Sequence, residues 1–289
     1  MLHDRSRELS STLSMFATRT PTLPPATHTN SFAVGGREIL LIEPATPYAD
    51  EQRAFLEWAR TLCLQGRKLV AIVATHHHPD HVGGLDAIAR ELGAGVWVHE
   101  KTEDLLDATA RLHVTRRLRD GDEIILDGAR PEAWRVLFTP GHAPGHVCLY
   151  EPEARTLIVG DMAASTGTIV VAPDEGDMQE YIASLERLAS LDATIALPAH
   201  GEPIREPAML FRKYVAHRKM REKKIYDAVA ASGSNGGTLA EIVTVAYADT
   251  PEDLWPFAKL SLEAHLVKLV REGRVARLAR PVSDRFRLV

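Results

Sequence analysis

The sequence predicts an α+β protein in two parts: a mixed sheet-and-helix domain over 1–207 and a small domain of helices closed by a hairpin over 208–289. Three observations predict it. Short apolar, β-branched runs alternate with segments of helical spacing through the first part. Four histidines and an aspartate crowd into Thr75-His76-His77-His78-Pro79-Asp80-His81, directly after the apolar run 69–74. Past Pro203 and Pro207 the pattern changes to long helical segments and then a pair of alternating ones.

Taken in order, 31–34, the Gly35-Gly36 turn and 38–42 predict a hairpin. Residues 50–64 place Phe55, Trp58, Ala59 and Leu62 at helical spacing. Residues 85–92 predict a helix stopped by Gly93, and 96–98 the next strand. Asp120-Gly121 and Asp127-Gly128 are turn signals around a strand at 123–126. A strand at 134–137 follows, then a helix over 178–191 with Tyr181, Leu185 and Leu188 on its buried face. In the second part, 209–231 is a basic helix, and Thr238 with Glu241 forms a capping box for another. Residues 255–272 are a third helix ended by Gly273, and 274–278 with 285–289 alternate like paired strands. Three helices and a hairpin resemble a winged-helix domain.

The apolar 45% and charged 25% are those of a soluble globular chain. No segment approaches the ~20 apolar residues that span a bilayer. The N-terminal 19 residues mix arginines with acids and lack a hydrophobic signal core, so a ragged, solvated start is expected, with an organelle transit peptide as the alternative. The two cysteines, Cys63 and Cys148, read as small core residues rather than a disulfide, which fits a reducing, cytoplasmic compartment. From 208 to 289 fifteen Lys/Arg face nine Asp/Glu, a net of +6, against −11 on 1–207. That basic part could meet a polyanion, or dock as a solvated helix on an acidic neighbour.

Imidazole and carboxylate are ligands for a divalent transition metal such as Zn²⁺. A buried strand that empties into the 75–81 cluster places them where a loop can wrap an ion. In an extended segment His76, His78 and Asp80 share one side and His77 faces away. Gly83-Gly84 then lets the backbone fold tightly. The cluster reads as the heart of a two-metal hydrolase centre. Later apolar runs lead into the same residue types: 134–137 precedes His142, 157–160 precedes Asp161, and 195–197 precedes His200.

The spacing matches the HxHxDH signature of the metallo-β-lactamase superfamily, which the chain resembles, in order, over roughly 28–205. The resemblance implies a four-layer αββα sandwich. It assigns His76, His78 and His142 to one metal ion, Asp80, His81 and His200 to another, and Asp161 to the bridge. Two such ions about 3.5–4 Å apart hold a bridging hydroxide at neutral pH that attacks a carbonyl or phosphoryl centre. Asp80 would also orient that nucleophile. His146 would line the pocket or give a proton to the leaving group, with loop packing as the plain alternative. Zn is the default metal, with Fe or Mn compatible. His77 reads as a neighbour of the ligands or a surface residue, His99 as a satisfied strand-end residue, and His3, His28, His113, His217 and His265 as structural or solvated. The polar loop 165–168 could hydrogen-bond a ligand or be a plain turn, and Phe32 and Tyr181 could wall a pocket or be core residues.

From 160–162 through 175–178 to 181–185 the chain resembles the branch typified by lactamase-β-like protein 2, which also ends in a winged helix. That resemblance implies hydrolysis of thioesters, including carrier-bound acyl groups, or cleavage of single-stranded RNA. A thioester or other small ester is the expected substrate. Endoribonuclease action stands second, and a nucleic-acid-binding regulator with an inactive metal site third. A membrane partner is not expected. The winged-helix ending departs from glyoxalase II, whose helical C-terminal domain holds glutathione.

Overall fold

The computed structural model describes residues 5–106 and 113–289; His3 lies outside them. The chain divides into two compact units, one of Met1–Thr139, Pro144–Thr168 and Asp192–Pro207, the other of Pro140–Ala143, Ile169–Leu191 and Ala208–Val289.

In the first unit β1 (Ser6–Ser10), β2 (Leu13–Arg19), β3 (His28–Val34), β4 (Glu38–Ile42), β5 (Lys68–Val73), β6 (Val96–His99) and β7 (Val114–Leu118) lie side by side in chain order. The first four pair antiparallel and β4 to β7 parallel. A second sheet holds β8 (Glu123–Leu126), β9 (Glu132–Phe138), β10 (Val147–Glu151), β11 (Thr156–Gly160), β12 (Ile195–Pro198) and β13 (Ile204–Arg205), with only β11 and β12 parallel. Strand β4 shows why both faces of the first sheet are dry. Leu40 and Ile42 turn toward Trp134, Val136, Leu149 and Leu197 of the second sheet. Ile39 and Leu41 turn the other way, against α1 (Ala49–Leu64) and, past the short α2 (Pro79–Val82), α3 (Leu85–Leu92). Phe55, Trp58, Leu62, Leu85 and Ile88 fill that second layer. The helix α4 (Glu100–Leu105) follows β6.

Two expectations are corrected here. Residues 6–19 are not ragged: β1 and β2 form a hairpin, with Leu13, Met15 and Phe16 buried on alternate faces. The arginines and polar residues mixed among those apolar positions hide the alternation from a reading of composition. Cys63 is exposed, not a core residue. It stands one position beyond Leu62, the last buried residue of α1, which rotates it about 100° off the apolar stripe. Cys148 is buried as expected.

In the second unit α5 (Met178–Ala189) buries Tyr181, Leu185 and Leu188 as predicted. There follow α6 (Pro207–Ala231), α7 (Leu239–Ala246) and α8 (Trp255–Arg271), with β14 (Gly237–Thr238), β15 (Val275–Leu278) and β16 (Arg285–Leu288) in the order β14-β16-β15. Thr238 accepts the Glu241 N–H at 3.2 Å and Glu241 returns the contact at 2.8 Å, the expected capping box. Ile225, Val229, Ile242, Leu262, Leu266, Leu269, Val275 and Phe286 make a core of their own. The α+β class and the winged-helix end are both as the sequence predicts.

Candidate metal centre

Strand ends build the site. β11 and β12 run parallel with Gly160 opposite Pro198, so Asp161 and His200 leave neighbouring strands at one edge. β4 and β5 do the same in the other sheet, with Ile42 opposite Val73, so Glu43 stands beside the start of the histidine cluster. Main-chain bonds tie the two edges: Val147 N–H to Thr75 O at 2.9 Å and Asn30 N–H to Ala199 O at 2.7 Å.

The cluster itself is less extended than its alternation suggests. Pro79 opens the turn of α2, so Asp80 and His81 sit on a helical turn while His76 and His78 precede it. Gly83 and Gly84 are needed for space rather than for unusual dihedrals. A Cβ on either would meet the carbonyl oxygen of Pro79, or those of Pro44 and Thr46, at 2.7 Å.

Four predicted residues converge. His200 Nε2 lies 3.4 Å from Asp80 Oδ2 and 3.4 Å from Asp161 Oδ1. His81 Nε2 lies 3.6 Å from Asp161 Oδ1 and 3.9 Å from Asp80 Oδ1. His76 Nε2 and His78 Nδ1 aim at each other across 2.9 Å. His142 belongs to the second unit, where its Nδ1 donates to the Val170 carbonyl at 2.8 Å.

Tautomers follow from the partners. A carbonyl can only accept, so His200 Nδ1 carries a proton for His28 O at 3.0 Å and Nε2 is turned to the carboxylates. The Asp161 N–H can only donate, so His146 Nε2 accepts it at 3.1 Å and Nδ1 donates to Thr139 Oγ1 at 2.9 Å. His146 is wholly buried. Gly160 must be glycine there: its φ is +48°, and a Cβ would come within 2.6 Å of His146 Nε2.

Burial opposes ionisation of Asp80, but His81 and His200 beside it outweigh that and hold its carboxyl at about 2. Asp161 is likewise held well below the usual range: burial works against it, and the same two imidazoles prevail. Burial disfavours the charged form of His200, yet Asp161 and Asp80 lift it to about 10. His81 is raised as well, its burial overcome by Glu43, Asp161 and Asp80. The site thus concentrates negative charge around imidazole nitrogens.

A divalent ion suits this donor set. Asp80, His81 and His200 offer ligand atoms within 4.8 Å of one another, and so do Glu43, His76 and His81. His81 is wholly buried and neither ring nitrogen has a well-formed hydrogen bond, an arrangement costly unless something else claims the lone pair.

Sequence reasoning missed Glu43. Its side chain is wholly buried, Oε2 lies 3.2 Å from His81 Nδ1, and Oε1 accepts the Thr75 N–H at 3.3 Å. Its φ of +60° is a strained value for a side-chain-bearing residue. A signal existed: Glu43 ends the apolar run 39–42 as Asp161 ends 157–160. Asn30 also escaped notice as a support; its amide donates to Pro198 O at 3.0 Å and Gly201 O at 2.8 Å, pinning the His200 loop. Thr75 Oγ1 partners His76 Nδ1 at 3.0 Å. His99 caps α4, accepting the Lys101 N–H at 3.2 Å. Ser165 Oγ accepts the Glu202 N–H at 2.7 Å, and Phe32 and Tyr181 are core residues.

Strand-end histidines and acids on paired mixed sheets are a donor set suited to a metal-dependent hydrolase, and comparison with known proteins agrees with that class. The family model "Metallo-beta-lactamase superfamily" matches residues 24–200, and "Beta-lactamase associated winged helix domain" matches 238–284. The chain belongs to the metallo-beta-lactamase superfamily, a hydrolase family. It is 30% identical to the "Beta-lactamase-like protein 2 homolog" of Drosophila melanogaster, over 89% of this chain and 87% of that one. A metallo-beta-lactamase family protein of Thermus thermophilus superposes with a TM-score of 0.78 at 25% identity, covering 98% of this chain and all (100%) of the other. A protein of Emericella nidulans named "Thioesterase pkgB" is 30% identical over 60% of this chain and 48% of its own length. Among the described residues no helix is long and apolar enough to cross a membrane.

Proposed function

We propose that this chain is a binuclear metal-dependent hydrolase of a thioester or other small ester. The observation that carries it is the meeting of Asp80, His81, Asp161 and His200 around ring nitrogens at 3.4–3.9 Å. The relative named a thioesterase supports the choice of bond. His76, His78 and His142 would hold one ion, Asp80, His81 and His200 the other, and Asp161 would reach both. Zn²⁺ suits the donors best, with Fe or Mn as alternatives, and such ions supply Lewis acidity and a water ionised near neutral pH.

The chain's own groups do the rest. Asp80 keeps 15% of its side chain exposed, so its carboxylate can face and orient the attacking water. His200 and His81 present Nε2 because His28 O and Glu43 occupy their Nδ1 sides. The sequence suggests that His146 lines the pocket or donates a proton; with both nitrogens engaged, its role in this reading is to hold the Asp161 main chain. A thiolate is a weakly basic leaving group and departs without needing a proton donor.

Cleavage of single-stranded RNA uses the same ionised water and is the second reading. On the basic helix Lys219, Lys223 and Lys224 pair with Glu186, Asp227 and Asp249 in exposed contacts, which a polyanion would displace at little cost. The test is metal analysis with a parallel screen of thioester, lactone and phosphodiester substrates. Thioester turnover should vanish on chelation and return with added Zn²⁺ or Mn²⁺. Metal-loaded protein that is inert across a broad acyl panel would refute the reading.

A further inference from the structure

A cavity of about 530 Å³ opens beside His200 in the first unit, a size typical of small-molecule sites. Its wall includes Arg5, Arg7, Met15, Pro25, Thr166 and His200. Arg5 stands just before the edge strand β1 and Arg7 within it, and both side chains line this cavity. The two are held differently. Arg5 Nη1 bonds Glu51 Oε2 at 2.6 Å, and that carboxylate, buried and also accepting the Arg19 N–H at 3.2 Å, fixes it in place. Arg7 Nη1 bonds Glu202 Oε2 at 2.7 Å, with side chains 46% and 73% exposed. An exposed pair of this kind is held weakly and yields to a better acceptor. Each guanidinium has five donors, and each uses one nitrogen in these pairs. Met15, Ala17, Pro25 and Ala26 add apolar wall to the same cavity.

We propose that this cavity is the specificity cleft of the ester-hydrolysing site and selects substrates carrying an anionic group, a carboxylate or a phosphate. Arg7 releases Glu202 and takes the anion, Arg5 adds a fixed positive charge beside it, and the apolar wall receives the intervening chain. The scissile carbonyl then lies on the His200 side. This rests on the ester-hydrolase reading above, which says nothing of substrate charge. The anion could sit on the acyl half as a carboxylate or on the thiol half as a phosphate.

The test uses the metal-loaded full chain and three thioesters: acetyl-coenzyme A, succinyl-N-acetylcysteamine and the neutral acetyl-N-acetylcysteamine. Arg7→Ala should raise KM about tenfold for whichever anionic substrate uses the cleft, with kcat kept and the neutral substrate unaffected. Glu202→Gln should lower the same KM, because a competing carboxylate is gone. These opposite signs distinguish the cleft from a general loss of structure. Binding of coenzyme A and of free succinate, measured by calorimetry on wild type and Arg7→Ala, gives a readout that needs no turnover. If the thioesters are inert but either anion binds in an Arg7-dependent way, the cleft stands and the ester reading falls. If KM and anion binding are the same in wild type and Arg7→Ala, the cleft is overturned while the ester reading survives. Turnover of single-stranded RNA alone, with neither anion bound, overturns both.

Discussion

Replacing Glu43 with glutamine isolates the part of the centre that lies behind a candidate ligand. The carboxylate faces His81 Nδ1 at 3.2 Å in a fully buried setting. There it holds the ring proton on Nδ1 and leaves the Nε2 lone pair for an ion. A contact between a carboxylate and a neutral ring N–H is worth about 1.5–3 kcal/mol when well aligned. The cost of burying a carboxylate offsets part of this. The net effect of such a partner behind a metal ligand is about 10–100-fold in metal affinity, or ~1.4–2.7 kcal/mol. Glu43→Gln keeps the shape and can still accept the Thr75 N–H that Oε1 accepts at 3.3 Å, so the fold should survive. Metal content after dialysis, and affinity by competition with a chromophoric chelator, read the effect directly. Unchanged affinity in a folded Glu43→Gln variant would show that His81 needs no carboxylate behind it, and the tautomer argument would fail.

Two other perturbations follow from the same reasoning. Gly160→Ala puts a Cβ within 2.6 Å of His146 Nε2 and 2.7 Å of Thr75 Oγ1 at a φ of +48°. A loss of about 1–3 kcal/mol in denaturant unfolding, together with a drop in hydrolysis, is expected, and full stability would contradict the packing described. In the second unit, burial opposes ionisation of Glu222, but His265 and Lys268 outweigh it and hold the carboxyl at about 2, below its ordinary 4.5. A depressed carboxyl stabilises the fold above its unfolded value and stops doing so as pH falls from 4.5 toward 2. Glu222→Gln should therefore flatten the acid loss of stability in that window. An identical acid-melting profile for the variant would remove Glu222 from the account.

Much of the centre could be read from the chain because strand-end ligands leave a local mark. An apolar run ending in Asp161 or shortly before His200, or the dense cluster at 76–81, needs no knowledge of the fold to be noticed. The helices were legible for similar reasons. Tyr181, Leu185 and Leu188 repeat at helical spacing, and Thr238 with Glu241 is a start signal four residues long. The supports were not legible. Glu43 is over thirty residues from His81, and Thr139 is seven from His146; neither spacing carries a pattern.

By itself, then, the sequence determined which residue types end which strands, where helices begin, and to what family the chain belongs. It did so because periodicity, caps and ligand spacing are properties of neighbours along the chain. Only the tertiary structure decided that β11 and β12 lie parallel, so that Asp161 and His200 share an edge, and that β4 sits beside β5, so that Glu43 backs His81. It also turned residues 6–19 into a hairpin whose inner strand β2 is buried, bringing Arg5 and Arg7 to a cavity beside His200. Strand pairing across long loops is set by the burial of whole faces, and no short stretch of chain records it.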